Sequence, residues 1–146
     1  MPLVEARILI NGVPKDVYNV AKQQERFPDF MADVEEVKIV EREGQRAISE
    51  WTTNVEGIPI CWKEEDTYDD AANSISYRLL EGDLDKFEGA WTFEPTNGGT
   101  EVVLTVDFDF GMPTLADLLG PVLEVKVREN AEMMLNGIKD EVESGS

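Results

Sequence analysis

Apolar and polar residues alternate along this chain with two different periods, and the changes of period mark out its elements. Residues 3–11 are rich in β-formers and run into Asn11-Gly12, which predicts a first strand ending in a turn. Pro14 suits the first position of a helix. Val17, Val20, Ala21 and Gln24 then fall three and four apart, so 14–24 should be helical with one apolar stripe. A second short helical piece is expected to carry Phe27-Pro28-Asp29-Phe30-Met31.

From Val34 to Phe110 the period drops to two. Runs of eight to twelve residues are broken by turn signals at Glu43-Gly44-Gln45, Glu56-Gly57, 69–73, Gly82-Asp83 and Asn97-Gly98-Gly99, which gives six further strands. Connections this short favour antiparallel neighbours, because a parallel crossover needs roughly a dozen residues. In the last strand Val102, Leu104, Val106, Phe108 and Phe110 share one face, while Glu101, Thr105, Asp107 and Asp109 share the other with Val103. One face is buried and the other wet.

Thr114 with Asp117 three residues on resembles a helix N-terminus, and Gly120-Pro121 predicts a kink or restart. Past it Leu123, Val127, Ala131, Met134, Ile138 and Val142 recur at helical spacing, opposed by Glu124, Arg128, Glu132 and Lys139. From 121 to 143 this amphipathic helix would span roughly 35 Å. The order is strand, two short helices, six strands, long helix. A seven-stranded antiparallel sheet with one wet face must bury the other, and the C-terminal helix is the large apolar partner available. The expected fold is therefore α+β, one domain over 1–146, with a curved sheet gripping that helix. The gap between a curved sheet and a straight helix is a place for a ligand.

Composition narrows the chemistry. With 146 residues, 42% hydrophobic and 30% charged, the chain can close a core unaided. Its 13 basic and 31 acidic residues give a formal charge of -18, which repels phosphate backbones and anionic lipid, so nucleic acid is not an expected partner. There is no histidine and a single cysteine, Cys61, so internal disulfides, His/Cys zinc sites and His-based catalytic triads are excluded. No cofactor or metal is implied. Asp83-Leu84-Asp85 and Asp69-Asp70 lack the spacing of a twelve-residue calcium loop and read as turn carboxylates. No run approaches the ~20 apolar residues of a membrane span and the start carries no leader pattern, so stable membrane insertion is not expected and the cytoplasm is the expected location.

Several local motifs, taken with this order of elements, resemble the START-like superfamily, specifically its polyketide cyclase/dehydrase and coenzyme Q-binding branch. They are Val13-Pro14 with Val17-Tyr18, Phe27-Pro28-Asp29-Phe30-Met31, Trp62-Lys63-Glu64-Glu65, Glu81-Gly82-Asp83-Leu84 and Gly89-Ala90-Trp91-Thr92-Phe93. The resemblance implies a helix-grip fold with an internal cavity, used for binding and transfer or for polyketide cyclisation; fold alone does not choose between them. In the aromatase/cyclases that it resembles, a basic residue soon after the fourth-strand Trp and a Tyr opening the second strand are linked with cyclisation. Here Asp66 and Val34 stand at those positions. The apolar cavity of the quinone-binding branch is the better match.

Trp51 and Trp62 on neighbouring strands, with Tyr77 and Trp91 on later ones, are candidates to stack on a planar ligand, each contact worth about 0.5–1.5 kcal/mol beyond burial. Core packing is the competing role for each. Alternation puts Ile60, Trp62, Glu64, Asp66 and Tyr68 on one face, so if Trp62 points inward Glu64 does too. Glu64 is then the leading polar candidate, as a ligand anchor or, neutralised by burial, as an acid or base. Alternatively a bulge turns it out, or Arg46 or Arg78 pairs it. Asp66, nearer the strand end, is expected to be solvated. Cys61 should face away from the cavity.

Phe27, Phe30 and Met31 either gate the cavity mouth or staple the short helices to the sheet. Met112 and Pro113 with Leu115, Leu118 and Leu119 would form the opposite lip, and Phe108, Leu123, Val127 and Met134 complete the expected lining. The leading function is non-catalytic binding or transport of a hydrophobic small molecule such as an isoprenoid quinone, polyketide or lipid. One rival is a cyclase or dehydratase using Glu64 and Tyr77 with water in the same cavity. Another is a partner-binding module whose acidic face meets a basic protein; the sequence names no protein partner.

Overall fold

The computed structural model describes residues 3–55, 58–109 and 113–144, with side chains described throughout these except at 55, 58, 113–121 and 123. Phe110, Met112 and the Glu56-Gly57 turn lie outside the described residues. Strands β1 (Leu3–Ile10), β2 (Val34–Glu43), β3 (Arg46–Val55), β4 (Ile58–Asp69), β5 (Ser74–Gly82), β6 (Lys86–Thr96) and β7 (Gly99–Asp109) form one sheet. Its order is β1-β7-β6-β5-β4-β3-β2, and every pairing is antiparallel. Helices α1 (Pro14–Lys22) and α2 (Phe27–Phe30) follow β1, separated by a single 3₁₀ turn at Gln24–Arg26, and α3 (Pro113–Ser144) closes the chain.

The expected element order holds, with two differences. Helix α1 stops at Lys22, and Gln24 enters the 3₁₀ turn with its side chain buried, where its amide oxygen accepts a hydrogen bond from Tyr68 Oη at 2.9 Å. No restart occurs at Gly120-Pro121, because α3 runs unbroken from 113 to 144. A proline costs a helix one backbone hydrogen bond, a loss that a helix of this length survives.

Burial alternates along the strands as the period predicts, for example in β5 and β7, so one face of the sheet carries the core. The described residues of α3 approach the backbone of β1, β7, α1 and α2 closely and stand off the middle strands. Long side chains fix this offset. Arg128 Nη1 donates to Glu5 O at 2.8 Å and Lys139 Nζ to Leu9 O at 3.2 Å, while Glu143 Oε2 accepts from Asn11 N at 3.0 Å. The helix thereby occupies backbone groups that edge strand β1 would otherwise offer to another chain. At the other edge β2 is interrupted by irregularities at Val34/Glu36 and Ile39/Glu41 and carries alternating charge.

Two glycines shape the concave face. Gly82, at φ +146°, passes so close to Trp62 that a Cβ there would lie 2.5 Å from the Trp62 Cα, and Asp83 beside it accepts from Cys61 N at 2.8 Å. Gly89 pairs across from Tyr77 and lets that ring lie over β6, so that Tyr77 Oη donates to Thr105 O at 2.7 Å. Thr105 Oγ1 meanwhile accepts from Ala90 N at 3.1 Å. A Cβ on Gly89 would sit 1.9 Å from Thr105 O.

Gly89→Ala should therefore cost about 2–4 kcal/mol, an overpacking penalty together with loss of the tyrosine's partner. Gly44→Ala, where φ is +59° and nothing lies within 4 Å, should cost only about 1 kcal/mol. Urea denaturation of both variants checks this, and equal losses would contradict the close approach at Gly89.

Candidate functional site

Where α3 stands off the middle strands, the lining is built mainly from rings. Trp51 and Trp62 are register partners on β3 and β4 and stack with centroids 5.6 Å apart at 9°. Phe87 on β6 meets Trp62 at 4.9 Å and Tyr77 at 5.4 Å. With Trp91, Leu104, Val106 and Glu64 from the sheet, and Val127, Asn130, Ala131 and Met134 from α3, they line a cavity of about 30 Å³. That is room for one or two waters, against roughly 300–1,000 Å³ for a pocket that holds a drug-sized ligand.

Of the residues expected at the site, Trp51, Trp62, Glu64, Tyr77, Trp91, Val127 and Met134 come together around this cavity. Phe27 and Phe108 are fully buried in the core outside its lining. Phe27 packs edge-on to Phe30 and Trp51 and is tilted against Trp91, and Met31 is buried beside it, so this motif staples α2 to the sheet. Met112 lies outside the described residues, as do the side chains of Pro113, Leu115, Leu118, Leu119 and Leu123. Phe87, Leu104, Val106, Asn130 and Ala131 were not expected as lining. Leu104, Val106 and Ala131 lie on stripes visible in the sequence, and Asn130 follows Val127 by three on the helix. Phe87 gave no distinct signal.

Glu64 points inward, only 3% exposed. An irregularity does occur beside it, between Lys63 and Glu64, but the extra residue is Leu80 on β5 and Glu64 keeps its face. Arg46 and Arg78 both grip Glu65 on the other face, holding that carboxyl below its usual range, and leave Glu64 alone. Asp66 is not solvated as expected; it is 0% exposed. Strand β4 continues to Asp69, and Tyr68 and Gln24 close over that end.

Together the two acids anchor a polar network inside the apolar face. Trp62 Nε1 donates to Glu64 Oε1 at 2.7 Å. Trp51 Nε1 donates to Ser49 Oγ at 2.8 Å, and Ser49 Oγ donates to Asp66 Oδ2 at 2.6 Å. Burial, and then the neighbouring Asp66 charge, push the Glu64 carboxyl well above its ordinary range. Burial raises Asp66 too, opposed by hydrogen bonds from Glu64, Ser49 and Gln24. The two acids therefore titrate as a pair, and burial favours a proton on it, held chiefly by Glu64. Tyr77 is also pushed up, chiefly by burial, and its proton is committed to Thr105 O.

Elsewhere, Asp69 accepts from Ala72 N and Asp83 from Cys61 N, so both serve turns, while Asp70 ties Tyr18 and Lys22 to the β4–β5 turn. Cys61 is exposed on the outer face.

Because Glu64 binds its proton in the fold above its ordinary pKa of 4.5, the folded chain holds more protons than the unfolded one, and stability is lost as pH rises toward the raised value. Glu64→Gln removes this slope. From pH 5 to 8 the stability difference should move in the variant's favour, by up to about 1.4 kcal/mol per pH unit. Denaturation across that range checks it; parallel curves would contradict a protonated Glu64.

The family model described as polyketide cyclase / dehydrase and lipid transport matches residues 10–135. Major latex protein 146 of Papaver somniferum is 29% identical over 101 residues, a match that takes in 63% of this chain and 64% of that protein. Among solved structures, TTHA0849 from Thermus thermophilus is 34% identical with a TM-score of 0.95 over 99% of both chains. The Zhui aromatase/cyclase from Streptomyces sp. R1128 is 24% identical with a TM-score of 0.88 over 97% of this chain and 93% of its own, a likeness of fold alone. The strand order, the long closing helix and the family match from residue 10 to 135 agree, and the chain belongs to the polyketide cyclase / dehydrase and lipid transport family of the START-like superfamily.

Proposed function

We propose that this protein binds a hydrophobic small molecule between the middle strands and α3, as a carrier or binder. The observation that carries the reading is the continuous wall of Trp51, Trp62, Phe87 and Tyr77 facing Val127, Ala131 and Met134, with one neutral carboxyl set into it. Rings arranged face to edge offer a flat ligand both stacking and burial. The described side chains leave about 30 Å³ between them, so a drug-sized ligand would need the helix and the middle strands to part further. The helix's close backbone approaches lie on β1, β7, α1 and α2, and parting at the middle strands leaves those in place.

The ligand classes suggested by the resemblance are an isoprenoid quinone, a polyketide or a lipid. No helix among the described residues is long and apolar enough to cross a bilayer, so such a ligand would be held by the cavity and not by an anchoring span of these residues. A second reading, polyketide cyclisation or dehydration, is favoured by the proton on Glu64, the kind of group that can act as a general acid near neutral pH. Tyr77 is withheld by Thr105, so acid–base work would fall to Glu64.

N-phenyl-1-naphthylamine, a neutral lipophilic dye excited by tryptophan emission, tests the binding reading. It should bind with one-to-one stoichiometry and draw energy from the tryptophans, and Val127→Arg, at a half-buried lining position, should weaken it by about tenfold or more. A dye that does not bind, or that binds wild type and Val127→Arg alike, would overturn the cavity as the site.

A further inference from the structure

Two buried acids, Glu64 and Asp66, stand at the aromatic end of the cavity, and among the described residues no Lys or Arg is paired with either. Arg46 and Arg78 serve Glu65, Lys63 serves Glu50 and Glu81, Lys22 serves Asp70, and Lys86 serves Asp107. Arg42 reaches Glu25 and lies over the Tyr68 ring. The other groups facing the pair bring no positive charge: Gln24 from the 3₁₀ turn, Ser49 from β3, Tyr68 on β4, Tyr77 on β5 and Asn130 on α3, with Glu65 adding a further negative charge nearby.

Besides Asp107 Oδ1 on β7, two buried atoms at this end of the cavity are left over. Among the described residues Asp66 Oδ1 has no hydrogen-bond partner, and Asn130 Nδ2 has no acceptor. An unpartnered carboxyl oxygen asks for a donor, and a carboxyl pair without a basic partner favours a donor that carries positive charge. A cation gains both from the charge and from the π faces of Trp51, Trp62, Phe87 and Tyr77, since desolvated cation–π contacts are the stronger ones. Resting on the reading that this cavity takes a small molecule, we propose that its ligand is a protonated amine on a flat apolar body, with the ammonium group against Glu64 and the body along the Trp62–Phe87 wall. An acceptor atom on that body would meet Asn130 Nδ2.

Titration calorimetry with 2-naphthylmethylamine and 2-naphthalenemethanol, alike in shape and different in charge, tests this. The amine should bind wild type about tenfold or more tighter than the alcohol. That preference should disappear in Glu64→Gln/Asp66→Asn, whose folding is checked by its circular dichroism and melting transition. In wild type, which needs no variant, the preference should shrink as the pH is lowered and the pair takes up protons. Equal binding of amine and alcohol, or a preference unchanged at low pH, overturns the cationic ligand and leaves the cavity reading standing. Failure of both to bind overturns the two together.

Discussion

A straight helix cannot follow a curved sheet along its whole width, and most of what distinguishes this molecule comes from where the two are allowed to touch. Arg128 and Lys139 fasten α3 to backbone carbonyls of β1, and Glu143 takes up the amide of Asn11. The helix is thereby held toward one side of the sheet, and the middle strands are left facing it across side chains alone. Those side chains are the large rings, which fill the gap and make it a place where a flat molecule can exchange ring for ring. Glycine at 82 and 89 matters for the same reason: each removes a Cβ where a neighbouring backbone or ring must pass.

Rings and acids on this face hold one another. Burying a carboxyl pair among aromatics is costly unless its oxygens are met, and here the indole N–H of Trp62 meets Glu64 while that of Trp51 reaches Asp66 through Ser49. The acids fix the indoles in turn, which keeps the two rings nearly parallel. A proton held on the pair lowers its charge, and burial favours that.

The fold was legible because strand and helix periods differ so plainly here. The alternation through Trp62, Glu64 and Asp66 placed Glu64 inward correctly, and the bulge beside it falls on β5, where it leaves that face unchanged. The burial of Asp66 was not legible, since it depends on Gln24, a residue 42 positions earlier in the chain whose side chain turns inward after α1 ends. Nor was the fate of Tyr77: its bond to Thr105 needs Gly89 between them, a relation across three strands that no single period encodes. Phe87 and Asn130 escaped for a similar reason, because a lining residue differs from a core residue only in what stands opposite. For Phe27 the sequence left open gating the mouth or stapling the short helices to the sheet, and its packing against Trp51 and Trp91 fits the staple.

The acid pair is the point on which this account can be read most directly. Infrared difference spectroscopy of the protein at pH 7 should show the carbonyl stretch of one buried, protonated carboxylic acid, shifted by hydrogen bonding and absent from Glu64→Gln. A spectrum in which every carboxyl is ionised at that pH would mean that two full charges lie together under the tryptophans, and would contradict the shared proton on which the chemistry of the cavity has been built.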